Sequence, residues 1–336
     1  MTFLISRKRR KVGKKQRRLV KYVAGGGLLV VLLLAILAGW LFFRSRETGE
    51  WDGEHNFNLV YGTVKDGAGG GLVSLALVAF DPLEGEVVTV FIPDNIMISV
   101  PGGYGDYRAE AVFNLDQLEG KGGQLLRKSV SGYFAVPIDG WVIGKPLDSQ
   151  GNLAEICWSL AKGQGRSSMG WLERIRLWRK VALTKGLNYK VLNIAESGAV
   201  EVKELADGSR VLETDLRQLD DWLDDYLADA AIRGGGIEVA VLNSTDYTGM
   251  AGRVSRLMTN VGFEVVMMGA YDEKDKPGYC LIKADPALRD SYALKKLKEM
   301  FGCELSLADT RQFRAELAVI VGEQFAREIY SGSDEE

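Results

Sequence analysis

Residues 23–43, VAGGGLLVVLLLAILAGWLFF, are 21 consecutive uncharged and mostly apolar residues. As a helix rising ~1.5 Å per residue they cover ~31 Å, the depth of a bilayer's hydrocarbon core. A soluble core helix would carry a polar stripe, and this run has none. Residues 1–22 hold ten cations and no acidic residue. The positive-inside rule therefore puts this basic tail in the cytoplasm and everything after residue 43 outside. Anionic lipid headgroups would hold the tail at ~1 kcal/mol per cation. Trp40, Phe42 and Phe43 suit the outer interface. The length of the run and its exit, GWLFFRSR, argue against a cleaved signal peptide. A nucleic-acid-binding arm is the weaker reading of a basic tail that abuts such a run.

Removing the ten tail cations from 42 basic residues leaves 32 against 45 acidic ones, a net −13 for residues 44–336. The ectodomain is thus acidic, and bulk charge gives it no affinity for polyanions or nucleic acid. A phosphate-bearing partner would need a local basic pocket. Three cysteines, Cys157, Cys280 and Cys303, lack any C-x-x-C or metal spacing. They are read either as a Cys280–Cys303 disulfide with one thiol left over or as buried free thiols. The single histidine, His55, excludes most histidine-dependent hydrolases and a His-rich zinc site.

After a polar linker (44–56), a first module is expected over 57–233. Its opening strand, FNLVYG, is followed by the loop DGAGGG (66–71) and two continuous apolar strands, 72–81 and 87–93. These two are joined by a Pro/Gly turn, the pattern of a hairpin inside a sheet covered on both faces. Helices near 107–118 and 123–131, a strand at 133–138 and a helical piece at LAEICWSLA follow. A helix at 168–183 carries Trp171, Ile175, Trp178 and Ala182 at 3–4-residue spacing, read as its core-packing stripe. Strands flank the Asp-Gly turn of VEVKELADGSRVLETD. Next comes a helix from Asp215 to Arg233, with Leu216, Leu219, Leu223 and Leu227 inward. Its acidic residues Asp220, Asp221, Asp224 and Asp225 are expected to face solvent. Gly234 to Gly236 read as a flexible joint. The C-terminal module, 237–325, alternates strands and helices in a β-α-β-β-α-β order with helices on one face. An acidic tail (326–336) closes the chain. The fold class is α/β: a single N-terminal transmembrane helix, an α/β sheet module and a small second α/β module.

In the second module V-A-V-L-N-S-T (239–245), G-M-A-G-R-V (249–254), V-G-F-E-V (261–265) and A-V-I-V-G (318–322) resemble the LytR C-terminal domain. Asn243, Gly249, Ala251, Gly262 and Phe263 carry that pattern, and their jobs are structural: a strand end, a close helix start and a glycine C-cap. The first module is similar to a shortened LytR–CpsA–Psr domain in F-D-P-L-E-G-E-V-V-T-V-F-I-P-D (80–94) and V-P-G-G-Y-G-D-Y-R-A-E-A (100–111). That resemblance implies an extracytoplasmic protein on one N-terminal anchor. It further implies transfer of glycopolymer from polyprenyl pyrophosphate to peptidoglycan, with arginines clamping the pyrophosphate and carboxylates holding a divalent ion.

The departures weigh against transfer. Pro93 runs directly into Asp94 where the family has Arg, Gly71-Leu72 replaces Asp-Thr, and the later paired-arginine motif has no counterpart. Concentrated pyrophosphate charge needs guanidinium groups or a metal. The expectation is a non-catalytic envelope protein that binds or positions a cell-wall glycopolymer or an envelope partner. It has no cofactor and no confident catalytic residue. The alternative is a phosphotransferase built around Asp81, Asp94 and Arg108, with Mg²⁺. The expected partners are the bilayer through 23–43, anionic headgroups through the tail, and peptidoglycan or a lipid-linked glycopolymer. Transcriptional regulation, suggested only by the family's historical label, finds no helix-turn-helix pattern here.

Overall fold

The computed structural model describes residues 51–64, 72–145, 153–162, 164–272 and 275–330. The basic tail, the apolar run 23–43, the DGAGGG loop and the last six residues lie outside these. Among the described residues no helix is long and apolar enough to cross a membrane.

The first module is built on β1 (Phe57–Val64), β2 (Leu72–Asp81) and β3 (Glu86–Ile92), followed by a small hairpin of β4 (Met97–Val100) and β5 (Gly105–Arg108). Then come α1 (Ala109–Leu118), α2 (Gln124–Phe134), β6 (Gly140–Gly144), α3 (Leu153–Ala161) and β7 (Arg166–Ser167). The module continues through α4 (Trp171–Leu183), β8 (Asn188–Asn193), the β9 (Val200–Glu204) and β10 (Arg210–Thr214) hairpin, and α5 (Leu216–Leu223). The six-stranded sheet runs β7-β6-β1-β2-β3-β8. Strand period 2 sends Leu75, Leu77 and Ala79 of β2 to the face covered by α1 and α2, and Val78 and Phe80 to the face covered by α3 and α4. Each large side chain so buried stabilises by about 1.5–3 kcal/mol relative to exposure. The result is a helix–sheet–helix sandwich centred on the expected hairpin.

The second module begins with a short helix, α6 (Ala230–Arg233), and continues β11 (Glu238–Asn243), α7 (Met250–Val261), β12 (Glu264–Ala270), β13 (Cys280–Ala284) and α8 (Tyr292–Phe301). It ends with β14 (Glu304–Leu307), β15 (Leu317–Val321) and α9 (Glu323–Tyr330). Its sheet order is β12-β11-β15-β13-β14, with β15 parallel to β11 and antiparallel to β13. The strand at the centre, β15, is the A-V-I-V-G (318–322) strand of the C-terminal pattern. Every residue of β15 is buried, because both neighbours cover its edges and both faces are packed. The chain also stays folded past 325. Phe325 and Ala326 of α9 join the core on the same face as α7 and α8, so the acidic tail starts later than expected. Cys280 and Cys303 form a disulfide across the start of β13 and the approach to β14. Cys157 is a buried free thiol.

Five local expectations are corrected. Residues 133–138 are no strand: α2 runs on to Phe134, and Ala135, at φ 49°, closes it by donating to the Ser131 carbonyl. The helix expected over 215–233 is broken. Asp215 caps its start through the Arg217 and Gln218 N–H groups, but the Asp229 carboxylate accepts from Ala231 and Ile232 N–H and restarts the helix as α6. The polar linker ends before residue 51, since Trp51 is buried against Phe57 and Phe80. Strand β8 was not anticipated; its Asn- and Lys-bearing pattern lacks an apolar run, and it pairs on the sheet's edge. Finally, the stripe on α4 faces out. Trp171 is 62 % exposed, Ile175 44 % and Trp178 38 %, while Leu177 and Val181 on the adjoining stripe fill the core.

The joint at Gly234–Gly236 is bridged by side chains. Arg256 of α7 forks onto Asp220 of α5, Nε to Oδ2 at 2.6 Å and Nη2 to Oδ1 at 2.7 Å. It also donates to the carbonyls of Gly132 and Tyr133 at the end of α2. Asn260, one turn further on, donates to Phe134 O and Asp220 Oδ1. Asp220 is therefore no solvated carboxylate. Tyr292 of α8 donates to Asp229 at 2.7 Å and stacks on His55 with ring centroids 3.4 Å apart. Lys296 faces Asp139, whose carboxyl burial raises and Lys296 partly restores.

Two outcomes follow for the assembled chain. Replacing Arg256 with Ala removes four charge-assisted contacts and should weaken the contact between modules by about 2 kcal/mol or more, read as faster protease cleavage at 234–236 with both cores still protected. Unchanged cleavage would show that Arg256 does not hold the modules together. Changing both Cys280 and Cys303 to Ser opens a loop of sequence separation 23 and should cost about 3 kcal/mol, read as faster amide hydrogen exchange in β13 and β15.

Candidate functional site

Two places bring together the residues singled out above. The first is the end of the sheet where β3 runs out. Pro93 offers no N–H to continue the ladder, and the chain turns as Ile96 N–H donates to Pro93 O. The chain returns along β5 so that Ala109 N–H donates to Ile96 O and Glu110 N–H to Asp94 O, at 2.9 and 3.0 Å. Asp94 and Arg108 are thus neighbours at the start of α1. Asp94 is exposed. Arg108 lies 3.9 Å from Glu110, both partly solvated, a pair worth at most about 1 kcal/mol. It also faces Asp207, whose carboxyl is held below its usual range first by Ser209's hydrogen bonds and then by Arg108. Arg108 thus stands near two carboxylates that are at least partly solvated.

The second place is the opposite end of the sheet. Asp81 pairs with Glu86 at the hairpin turn, six positions along β2 from Leu75, the partner of Ile92. At ~3.3 Å per residue that is ~20 Å of strand. The structure therefore separates Asp81 from Asp94 and Arg108, which cannot share one reacting centre. The Asp81 carboxylate is spent on backbone: it accepts from Leu83 and Glu84 N–H within its turn and from Ala230 N–H at the start of α6. Around it lies a cleft of about 250 Å³ lined by Asp81, Glu84, Glu86, Lys190, Tyr226 and Arg233, among others. Lys190 meets Glu86 at 2.6 Å and sits 4.3 Å over Tyr226; the Glu86 hydrogen bond holds the ammonium above its ordinary range. Arg233 meets Glu84 at 3.0 Å. Opposite charges pair across this cleft, and no activated nucleophile faces it.

A divalent ion needs converging carboxylates. Among the described residues no group of three His, Cys, Asp or Glu side chains could hold a metal ion, the carboxylates of the Asp81 cleft included. Leu72 stands where the transferase pattern wants a polar residue, and it is buried. The residues do not fit Mg²⁺ at either end. Nor is there a spare thiolate, since burial pushes the Cys157 thiol up to about 12. Between the sheet and α1–α2, Leu77, Val90, Val112, Leu126, Val130 and Phe134 are all fully buried against one another. Trp141 lies so close to Gly123 that a Cβ there would strike the indole.

The residues of the C-terminal pattern make a turn and two helix ends. Asn243 ends β11, accepting from the Thr245 N–H and hydroxyl and donating to Tyr247 O. Ser244, in place of the pattern's glycine, donates to Val321 O at 2.6 Å. Gly249 supplies φ 79° ahead of α7 and not room, for nothing lies near its Cβ position. Gly262, at φ 113°, needs both, because a Cβ would press on the Arg233 backbone. Ala251 packs at the core's margin and Phe263 within it. Sequence reasoning passed over Arg256, Lys190 and Trp158. Only Arg256 had a signal, since it shares a polar face of its helix with Asn260 at i+4.

Residues 236–325 match the family described as LytR cell envelope-related transcriptional attenuator. No curated protein matches the chain. Solved structures that resemble it include TagV of Bacillus subtilis, at 13% identity, 50% of this chain, 94% of that one and a TM-score of 0.38. TagT (YwtF) of Bacillus subtilis with bound octaprenyl pyrophosphate lipid gives 14%, 52%, 90% and 0.36. A transcriptional regulator of Enterococcus faecalis gives 8%, 62%, 88% and 0.37. Likenesses this weak bear on neither activity nor ligand. The second module is another matter: by its family match and its own motif, residues 236–325 are a LytR C-terminal domain.

Proposed function

We propose that this chain is a membrane-anchored protein of the cell envelope whose ectodomain, outside the membrane, binds or positions a cell-wall glycopolymer or an envelope partner and does not transfer it. The observation that carries the reading is the end of β3. There the arginine of the transferase pattern is missing, and Arg108, the guanidinium nearby, has Glu110 and Asp207 in its surroundings. A pyrophosphate linkage under attack, from which polyprenyl phosphate must leave, would meet a single guanidinium with carboxylates beside it. The packed layer under α1 and α2 agrees with this, since a polyprenyl chain would have to displace buried side chains at about 1.5–3 kcal/mol each. The apolar run 23–43, the basic tail and the Cys280–Cys303 disulfide agree with an anchor and an oxidising compartment. The match of residues 236–325 to a cell-envelope-related family supports the reading.

The test uses the full-length protein in proteoliposomes supplied with lipid-pyrophosphate-linked glycan, Mg²⁺ and peptidoglycan. Expected is co-sedimentation with glycopolymer-bearing wall and no release of lipid phosphate, with Arg108→Ala changing neither. Steady glycan transfer that Arg108→Ala abolishes would reverse the reading to a phosphotransferase.

A further inference from the structure

The exposed stripe of α4 is long, aromatic and isolated from the rest of the surface. Trp171, Ile175, Trp178 and Ala182 succeed one another at 3–4-residue spacing, so they share one face. From α3, Trp158, 52 % exposed, joins with its ring 6.2 Å from that of Trp178, and Lys162 sits 4.6 Å over it. Residues 153–185 hold seven cations against two carboxylates, a net +5 in an ectodomain that is −13 overall. Lys162, Arg179 and Lys185 among them are exposed, while Arg166 turns to Gln117 and Phe113 of α1. Indoles flanked by Lys and Arg are the chemistry of a helix lying in a membrane interface.

We infer that the α3–α4 face rests on the outer leaflet of the bilayer, its indoles among the headgroups and its cations on anionic lipid. This rests on the reading of residues 23–43 as an anchor. Three observations choose lipid over other occupants. The α4 side chain Arg176 donates to the Trp51 carbonyl, so the chain enters the fold at this helix. Only residues 44–50 separate Trp51 from the apolar run, a tether of at most ~25 Å. The stripe is within one helix diameter, ~10–12 Å, of that point. A second copy of the face would bring like charge to like charge. A sugar platform would want coplanar rings, whereas Trp158 and Trp178 are tilted by 34° and an isoleucine interrupts the stripe.

Nitroxide labels on the full-length protein in phosphatidylglycerol–phosphatidylethanolamine vesicles test this, because the native cysteines are paired or buried. Labels are placed by Ala182→Cys on the stripe, Lys295→Cys on α8 as the aqueous reference and Leu33→Cys in the apolar run. Relative to position 295, position 182 should gain oxygen accessibility several-fold and lose nickel-chelate accessibility. Most of that shift should vanish in the R179E/K185E variant. A label at 182 as aqueous as 295, with 33 inside the bilayer, overturns the inference and leaves the anchor standing; 33 in water overturns both. Spin–spin broadening between 182 labels would hand the stripe to a second copy. Protection at 182 that appears only with added glycan would hand it to sugar. Either result overturns the inference.

Discussion

Strand β2 is buried on both faces, and the layers above and below it follow from that. A strand with apolar side chains in both directions cannot tolerate water on either, so the chain must supply a helical layer on each side. Residues 109–134 supply one and residues 153–183 the other. The antiparallel register of β2 with β1 and β3 then decides which loops share an end of the sheet. Asp94 and Arg108 fall together at one end, and Asp81 at the other. The chemistry open to this module is limited by that register before any single residue is considered.

The contact between modules makes the two sheets one body by a different means. The interface has little apolar packing and instead gathers charge and hydrogen bonds: Arg256 on Asp220 and two carbonyls, Asn260 beside it, Tyr292 on Asp229, Lys296 toward Asp139. Carbonyls at the end of α2 lack intrahelical partners, and a guanidinium is well shaped to satisfy several acceptors at once. Asp229 does double duty, capping α6 and receiving Tyr292, whose phenol burial and the neighbouring carboxylates hold well above its ordinary range.

Much of this was legible in the residues. The hairpin of 72–93, the Asp-Gly turn and the C-terminal motif all rest on local signals. What escaped was tertiary. Helical spacing announced a stripe on α4 but could not say which of two neighbouring stripes the sheet would accept. The smaller Leu177 and Val181 won, and the indoles stayed outside. A capping aspartate at 229 cut a helix that leucine periodicity alone would have continued. Asp81 stood beside Asp94 in the list of acidic residues near a recognisable motif, and only pairing register could separate them. Asp220 looked like one more surface carboxylate until α7 was laid against it.

The hydrogen bond from Ala230 to Asp81 joins residues 149 positions apart, and it sits in the turn between β2 and β3. The turn itself orients this carboxylate through the Leu83 and Glu84 N–H groups. The carboxylate is a ready acceptor for the first N–H of the second module. The first turn of the second module is thus fastened to an acceptor that the first module's own backbone already holds in place.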